Sequence, residues 1–146
     1  MRRIYFDYAA TTPVLPEVRE AMFPFLATHF GNPSSLHQEG QRAMCAVDES
    51  REAIQKALGA RHFSEVVFTS SATEANNLAI KGIVLKHLQL TTNNSQPAIK
   101  KAHIITTKLE HESVLKPIEQ LVNLGIAEVD YLPNNRDGIV DMGALK

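Results

Sequence analysis

The chain has 146 residues, 44% of them apolar and 21% charged, with a net charge of −1. That is long enough for one domain with a real core, and the near-neutral balance excludes an electrostatic drive toward nucleic acid or an anionic membrane. The one cysteine, Cys45, excludes an internal disulfide framework and fits a reducing compartment. No run approaches the ~18 apolar residues of a transmembrane helix.

Met1-Arg2-Arg3 is basic enough to open a signal peptide, but Asp7 and Pro13 break up the next stretch and no apolar segment develops. The cytoplasm is therefore the default location. Residues 4–8 are β-prone and are broken by Ala9-Ala10-Thr11-Thr12-Pro13. A helix is expected from Pro16, since proline suits a first turn, with Val18, Met22, Phe25 and Leu26 as its apolar stripe and a kink or early end at Pro24. Gly31-Asn32-Pro33-Ser34-Ser35 is a dense turn cluster. A second helix is predicted over 36–58, where Ala43, Val47, Ile54 and Leu58 recur at helical spacing, with Gly59 as its stop.

Residues 65–70 (EVVFTS) read as a strand. Leu78, Ala79, Gly82, Ile83 and Leu85 then line a helix, and 90–101 reads as a polar surface loop. A strand over 102–107 leads to an amphipathic helix over 113–124, stopped by Gly125. Pro117 is placed in or near its first turn, where backbone N–H groups have no helical partner. Next come a strand over 128–132, a turn over 134–138 and an extended 139–141. The order β-α-β-α-β predicts an α/β fold, a parallel sheet with helical crossovers, with ligands at the carboxyl ends of the strands. Residues 142–146 read as the start of another helix without cap or stop. A three-stranded parallel sheet also leaves an exposed edge. Both features suggest part of something larger.

Three clusters carry chemistry. Ser70-Ser71-Ala72-Thr73-Glu74 joins a predicted strand to a helix, and Ser71 with Glu74 fits the S-x-x-E capping box. Such a helix start offers free N–H groups and partial positive charge to a phosphate. Ala72 permits close approach and Thr73 adds a hydroxyl, although plain capping explains the same residues. Glu110-His111-Glu112 falls on the same carboxyl edge. His111 there either stacks on an aromatic ligand and moves protons, or is a surface histidine between two acids. Gly31–Ser35 with His37 is a third cluster, and equally a simple turn. Cys45 reads as a small buried or half-buried thiol rather than a nucleophile. His29, His62, His87 and His103 show no ligand spacing, so no metal site is expected.

Four segments, in order, resemble the cysteine desulfurases of the NifS/IscS type. They are Tyr5-Phe6-Asp7-Tyr8-Ala9-Ala10-Thr11-Thr12-Pro13, Phe30-Gly31-Asn32-Pro33-Ser34-Ser35-Leu36-His37, Phe68-Thr69-Ser70-Ser71-Ala72-Thr73-Glu74-Ala75-Asn76-Asn77 and Glu110-His111-Glu112-Ser113-Val114-Leu115. The resemblance implies a fold-type I enzyme of the class V aminotransferase group that depends on pyridoxal 5′-phosphate (PLP). Such enzymes are usually homodimers. They convert L-cysteine to L-alanine and leave a persulfide on an enzyme cysteine, for iron–sulfur cluster assembly or tRNA thiolation through a sulfur-acceptor protein.

By the same resemblance, Ala72 and Thr73 contact the PLP phosphate, and His111 stacks on the pyridine ring and helps in proton transfer. Ala10, Thr11 and Asn32 lie near the substrate. Residues 1–15 form an N-terminal segment packed with the small domain, and 16–146 the first part of the PLP-binding large domain. Ser71 replaces the family's usual glycine, which a position requiring positive φ would resist.

The family's Schiff-base lysine, its pyridinium-binding aspartate and its persulfide cysteine belong to later motifs. Lys81, Lys108 and Cys45 do not match them. The resemblance thus implies an N-terminal part without turnover alone, needing its C-terminal half. Two other readings remain open. One is a selenocysteine lyase or another class V aminotransferase, against which the F-G-N-P-S-S form favours the NifS/IscS branch. The other is a non-catalytic chain that binds a partner through its sheet edge and apolar face.

Overall fold

The computed structural model describes residues 4–92 and 101–145, which fall into two compact units divided after Val67. The basic start at 1–3 and most of the polar loop, 93–100, lie outside the described residues.

In the first unit, residues 4–8 form no strand. The amides of Ala10 and Thr11 both fold back on the Asp7 carbonyl, at 3.1 and 3.4 Å. Phe6 stays 91% exposed, so the β-prone side chains have no sheet face to fill. Helix α1 spans Pro16–Ala27, with proline in its first turn as expected. It runs three residues past Pro24 before the amides of Thr28 and His29 both turn onto the Pro24 carbonyl. Its predicted stripe forms but is not buried: Val18, Met22, Phe25 and Leu26 are all exposed.

Helix α2 spans Gln38–Leu58, starting two residues later than the apolar spacing predicts. Gly59 ends it in the left-handed conformation, φ +68°, while the Ala60 amide closes on the Gln55 carbonyl. Gly40 and Ala43 are its buried residues.

The predicted strand over 65–70 is replaced by a 3₁₀ turn, Phe63–Glu65, followed by extended chain. Strand preference reflects fit to a half-buried pleated surface, and Val67 and Phe68 remain exposed. Arg51, paired with Asp48 at 2.7 Å, takes the Val66 carbonyl at 3.1 Å with its Nε.

The second unit has the expected winding. Helix α3 is Ala72–Thr92, strand β1 Ala102–Thr107, helix α4 Glu112–Asn123 and strand β2 Ala127–Leu132. Among the described residues the sheet has two strands, not three, paired parallel with Ala102 opposite Ala127 and Thr107 opposite Leu132. Helix α4 is the crossover, and it packs against α3 and β2. Its buried residues, Ser113, Pro117, Ile118 and Leu121, recur at helical spacing and form one stripe. Val84, Leu121 and Ala127 form the buried cluster, flanked by Ile80, Leu88, Ile104 and Val122.

Pro117 is the sixth residue of α4, not a first-turn residue. Lacking an N–H, it cannot donate to the Ser113 carbonyl as an ordinary helical residue would. Gly125, at φ +73°, turns the chain from α4 into β2. Residues 134 and 140 close the last turn as an antiparallel bridge. Met142–Ala144 is a 3₁₀ turn rather than a longer helix, and it does have a cap: Asp141 Oδ1 accepts the Gly143 amide at 2.9 Å. No helix among the described residues is long and apolar enough to cross a membrane.

Candidate functional site

Helix α3 begins as its sequence predicts, with one change of partner. Ser71 Oγ accepts the Glu74 amide at 3.2 Å, the forward half of a capping box. Glu74 reaches back one residue further than that motif requires. Its carboxylate accepts from both the amide and the hydroxyl of Ser70, at 2.7 and 2.6 Å. A glycine at position 71 would lack the capping hydroxyl that serine contributes here. The hydroxyl of Ser70 first, and its amide second, hold the Glu74 carboxyl below the usual carboxylate range.

A depressed folded-state value means that this clasp is fully present above the ordinary carboxylate range, and is lost only as pH falls through the lower, folded value. The Glu74 carboxyl-carbon signal, followed by NMR against pH, is accordingly expected to titrate below an ordinary glutamate. The Ser70 amide should lose protection in the same step. Glu74→Gln should remove that pH-dependent step, and an ordinary midpoint in the wild-type chain would contradict the clasp.

With Glu74 turned back onto Ser70, the amides of Ala72 and Thr73 in the first turn have no acceptor among the described residues. Asn77, one turn on, donates its amide to the Thr73 carbonyl at 2.9 Å.

His111 is the N-cap of α4, a role usually taken by serine, threonine or aspartate. Its Nδ1 accepts the Ser113 amide at 3.0 Å and lies 2.9 Å from Ser113 Oγ. Asn76 of α3 donates to that same hydroxyl at 2.9 Å, tying the two helices together. The groove between them encloses about 350 Å³, and Thr73, Asn77, Lys81, His111 and Lys116 help to line it. Lys116 is engaged there with Glu119 at 2.9 Å and Glu112 at 3.9 Å. The Glu119 carboxylate raises its pKa above the ordinary lysine value, through a hydrogen bond and charge attraction, with Glu112 adding a smaller contribution.

The structure thus brings two candidate segments together: Thr73 and His111 line one groove, and Ala72 sits at the head of the same helix. Ala10, Thr11 and Asn32 belong to the first unit. Ala10 and Thr11 form the turn on Asp7. Asn32 is a turn-former, with Oδ1 accepting the Ser34 amide and its carbonyl accepting the Ser35 amide, both at 2.9 Å. His37 caps α2, accepting the Gly40 amide at 3.4 Å. Cys45 is exposed rather than buried or half-buried.

Sequence reasoning gave no role to Asn76, Lys81 or Ser113. The signal for Asn76 and Asn77 was their spacing of three and four residues from Thr73, which puts all three on neighbouring positions of one helical face.

The class-V aminotransferase model matches residues 4–146. The chain belongs to that family. It is 50% identical over 145 residues to the cysteine desulfurase IscS of Dictyoglomus turgidum, covering 99% of this chain and 34% of the relative. With the IscS of Rickettsia massiliae it shares 46% over 144 residues, covering 98% and 32%. Two solved structures superpose with a TM-score of 0.79: SspA in complex with cysteine, 40% identical over 97% of this chain and 37% of that one, and a NifS-like protein, 37% identical over 99% and 36%. The chain spans about a third of the length of these curated relatives. The parallel βαβ unit is accordingly a partial fold-type I domain.

Proposed function

We propose that this class-V chain supplies the phosphate- and ring-binding part of a PLP-dependent cysteine desulfurase acting on L-cysteine. The observation that carries the reading is the pairing of unengaged first-turn donors on α3 with the His111 ring in one groove. The donor set suits the group. A dianionic phosphate would be met by the amides of Ala72 and Thr73, by the Thr73 hydroxyl and by the positive end of the α3 dipole. Glu74 is turned away from those amides and onto Ser70, so its charge does not occupy them.

When bound, PLP supplies the electron sink for chemistry at the amino acid's α-carbon. His111 would lie beside the bound ring, and it would hold or move a proton at Nε2, the nitrogen its helix cap leaves open. Ala10, Thr11 and Asn32 are proposed as substrate-proximal. Residues 1–15 are assigned to the part that packs with the small domain, and 16–146 to the opening of the large domain. We place the assembly in the cytoplasm, as a homodimer that passes sulfur to an acceptor for iron–sulfur clusters. The Schiff-base lysine and persulfide cysteine fall, on this reading, in the family's later motifs.

Equilibrium dialysis of PLP against the 146-residue chain tests the reading. Thr73→Val should weaken binding about tenfold or more, the scale of one hydrogen bond to a charged group. His111→Ala should weaken it as well, whereas Lys108→Ala should leave it unchanged. Failure of the wild-type chain to bind, or equal affinity in all variants, would overturn the assignment.

A further inference from the structure

Ser113 is 7% exposed, the buried polar residue among those described, and its three hydrogen-bonding contacts have a fixed direction. A backbone N–H can only donate, so the 3.0 Å contact from the Ser113 amide makes His111 Nδ1 an acceptor. The Asn76 amide group donates to Ser113 Oγ at 2.9 Å. The hydroxyl's own proton is then available to the remaining neighbour of that oxygen, His111 Nδ1, again at 2.9 Å. Both donors converge on Nδ1, which therefore carries no proton. In the neutral ring the proton sits on Nε2. Nε2 has no partner among the described residues, and the ring lines the groove.

We infer that Asn76 and Ser113 are positioning residues that lock His111 in its Nε2–H tautomer and fix the plane of its ring. The inference rests on the proposed role of His111 beside PLP and deepens it. With Nδ1 held in the α4 cap, the ring cannot flip without breaking two hydrogen bonds, one of them part of the helix start. The ring therefore presents a single proton donor to the groove, suited to an oxygen acceptor on a bound amino acid or its cofactor. Neither Asn76 nor Ser113 need touch the ligand. They act through the imidazole, as the partners of a histidine commonly decide which of its nitrogens is protonated.

The test is a long-range ¹H–¹⁵N correlation spectrum of the ¹⁵N-histidine-labelled chain, at a pH where the imidazole is neutral. His111 should show the Nε2–H pattern, with widely separated ring nitrogens. Ser113→Ala removes one of the two donors to Nδ1 and should lower the Nε2–H to Nδ1–H ratio about fivefold, the scale of one net hydrogen bond. Asn76→Ala should lower it less, because the serine hydroxyl can still reach the ring. Ser113→Thr, which keeps the hydroxyl, should restore the wild-type shifts. The exposed His62 should not respond in any variant. If Ser113→Ala fails to fold, the Asn76→Ala spectrum carries the test.

A His111 in the Nδ1–H form, or one indifferent to both alanine variants, would overturn the inference. PLP affinity measured on the same samples separates the two readings. A locked tautomer without PLP binding sinks the proposed function and leaves the positioning pair. PLP binding that depends on His111 but not on a locked ring does the reverse.

Discussion

Gly40→Ala is expected to destabilise the first unit by about 2–3 kcal/mol, at the upper end of the usual cost of overpacking a closed site. A Cβ built on Gly40 falls on the Ser35 carbonyl oxygen, 2.7 Å from the Ser35 Cβ and 2.8 Å from the Asn32 carbonyl oxygen. Two of these three neighbours are backbone atoms and cannot swing aside as the end of a side chain would. The turn that carries them is itself hydrogen-bonded, since the Asn32 carbonyl accepts the Ser35 amide and Asn32 Oδ1 accepts the Ser34 amide. Gly31 meets α2 as well, where a Cβ would overlap the Glu39 carbonyl. Two missing side chains thus let the Asn32–Ser35 turn lie directly on the first turn of α2. The added methyl must push the turn off the helix or open the helix start.

Gly82→Ala is the matched control. It lies inside α3 with nothing within 4 Å of its added Cβ, and it should stabilise by about 0.5–1 kcal/mol through helix propensity alone. Urea unfolding, with amide-exchange protection across Gln38–Leu58 as the local readout, distinguishes them. An unaltered Gly40→Ala protein would show that the turn and helix do not pack closely.

The sequence carried the second unit better than the first, and the difference is physical. Ala102–Thr107 and Ala127–Leu132 pair with each other across a strongly amphipathic α4, so short-range pattern and long-range packing agree. EVVFTS has the same β-branched character but stays largely exposed, and strand preference without a face to fill makes only extended chain. Gly59 and Gly125 stop helices as expected because their reason is local: each takes positive φ.

The capped start of α3 was readable for the same cause, since a capping box is a local device. The His111 cap was not. Cap preferences point to Ser113 as the first hydroxyl available, whereas the chain starts α4 earlier and uses the imidazole. The Asn76–Ser113 contact joins positions 37 residues apart, which no local pattern announces. Pro117 was misplaced by the same error, because a helix thought to start later puts it nearer the first turn.

Leu121→Ala should cost the second unit about 3 kcal/mol, within the range for deleting a well-packed leucine. Leu121 is 3% exposed and clusters with Val84 of α3 and Ala127 of β2, with Ile80, Ile104 and Val122 packed around them. Four separate elements, α3, β1, α4 and β2, line the space left by its truncation, and each is held by its own hydrogen bonds. The cavity is therefore expected to persist rather than collapse. Leu124, exposed at the close of α4, should cost under about 0.5 kcal/mol on the same substitution.

Truncating Leu121 also bears on the groove. Leu121 lies two turns beyond Ser113 on the buried stripe of α4 and takes no part in the hydrogen bonds that join Asn76, Ser113 and His111. In the folded fraction of the Leu121→Ala protein, the His111 tautomer ratio should therefore remain that of wild type, while the midpoint of urea unfolding falls. A tautomer that changes along with stability would mean that the Asn76–Ser113–His111 chain depends on core packing. A tautomer that holds while stability falls would locate the device in the three hydrogen-bonded residues themselves.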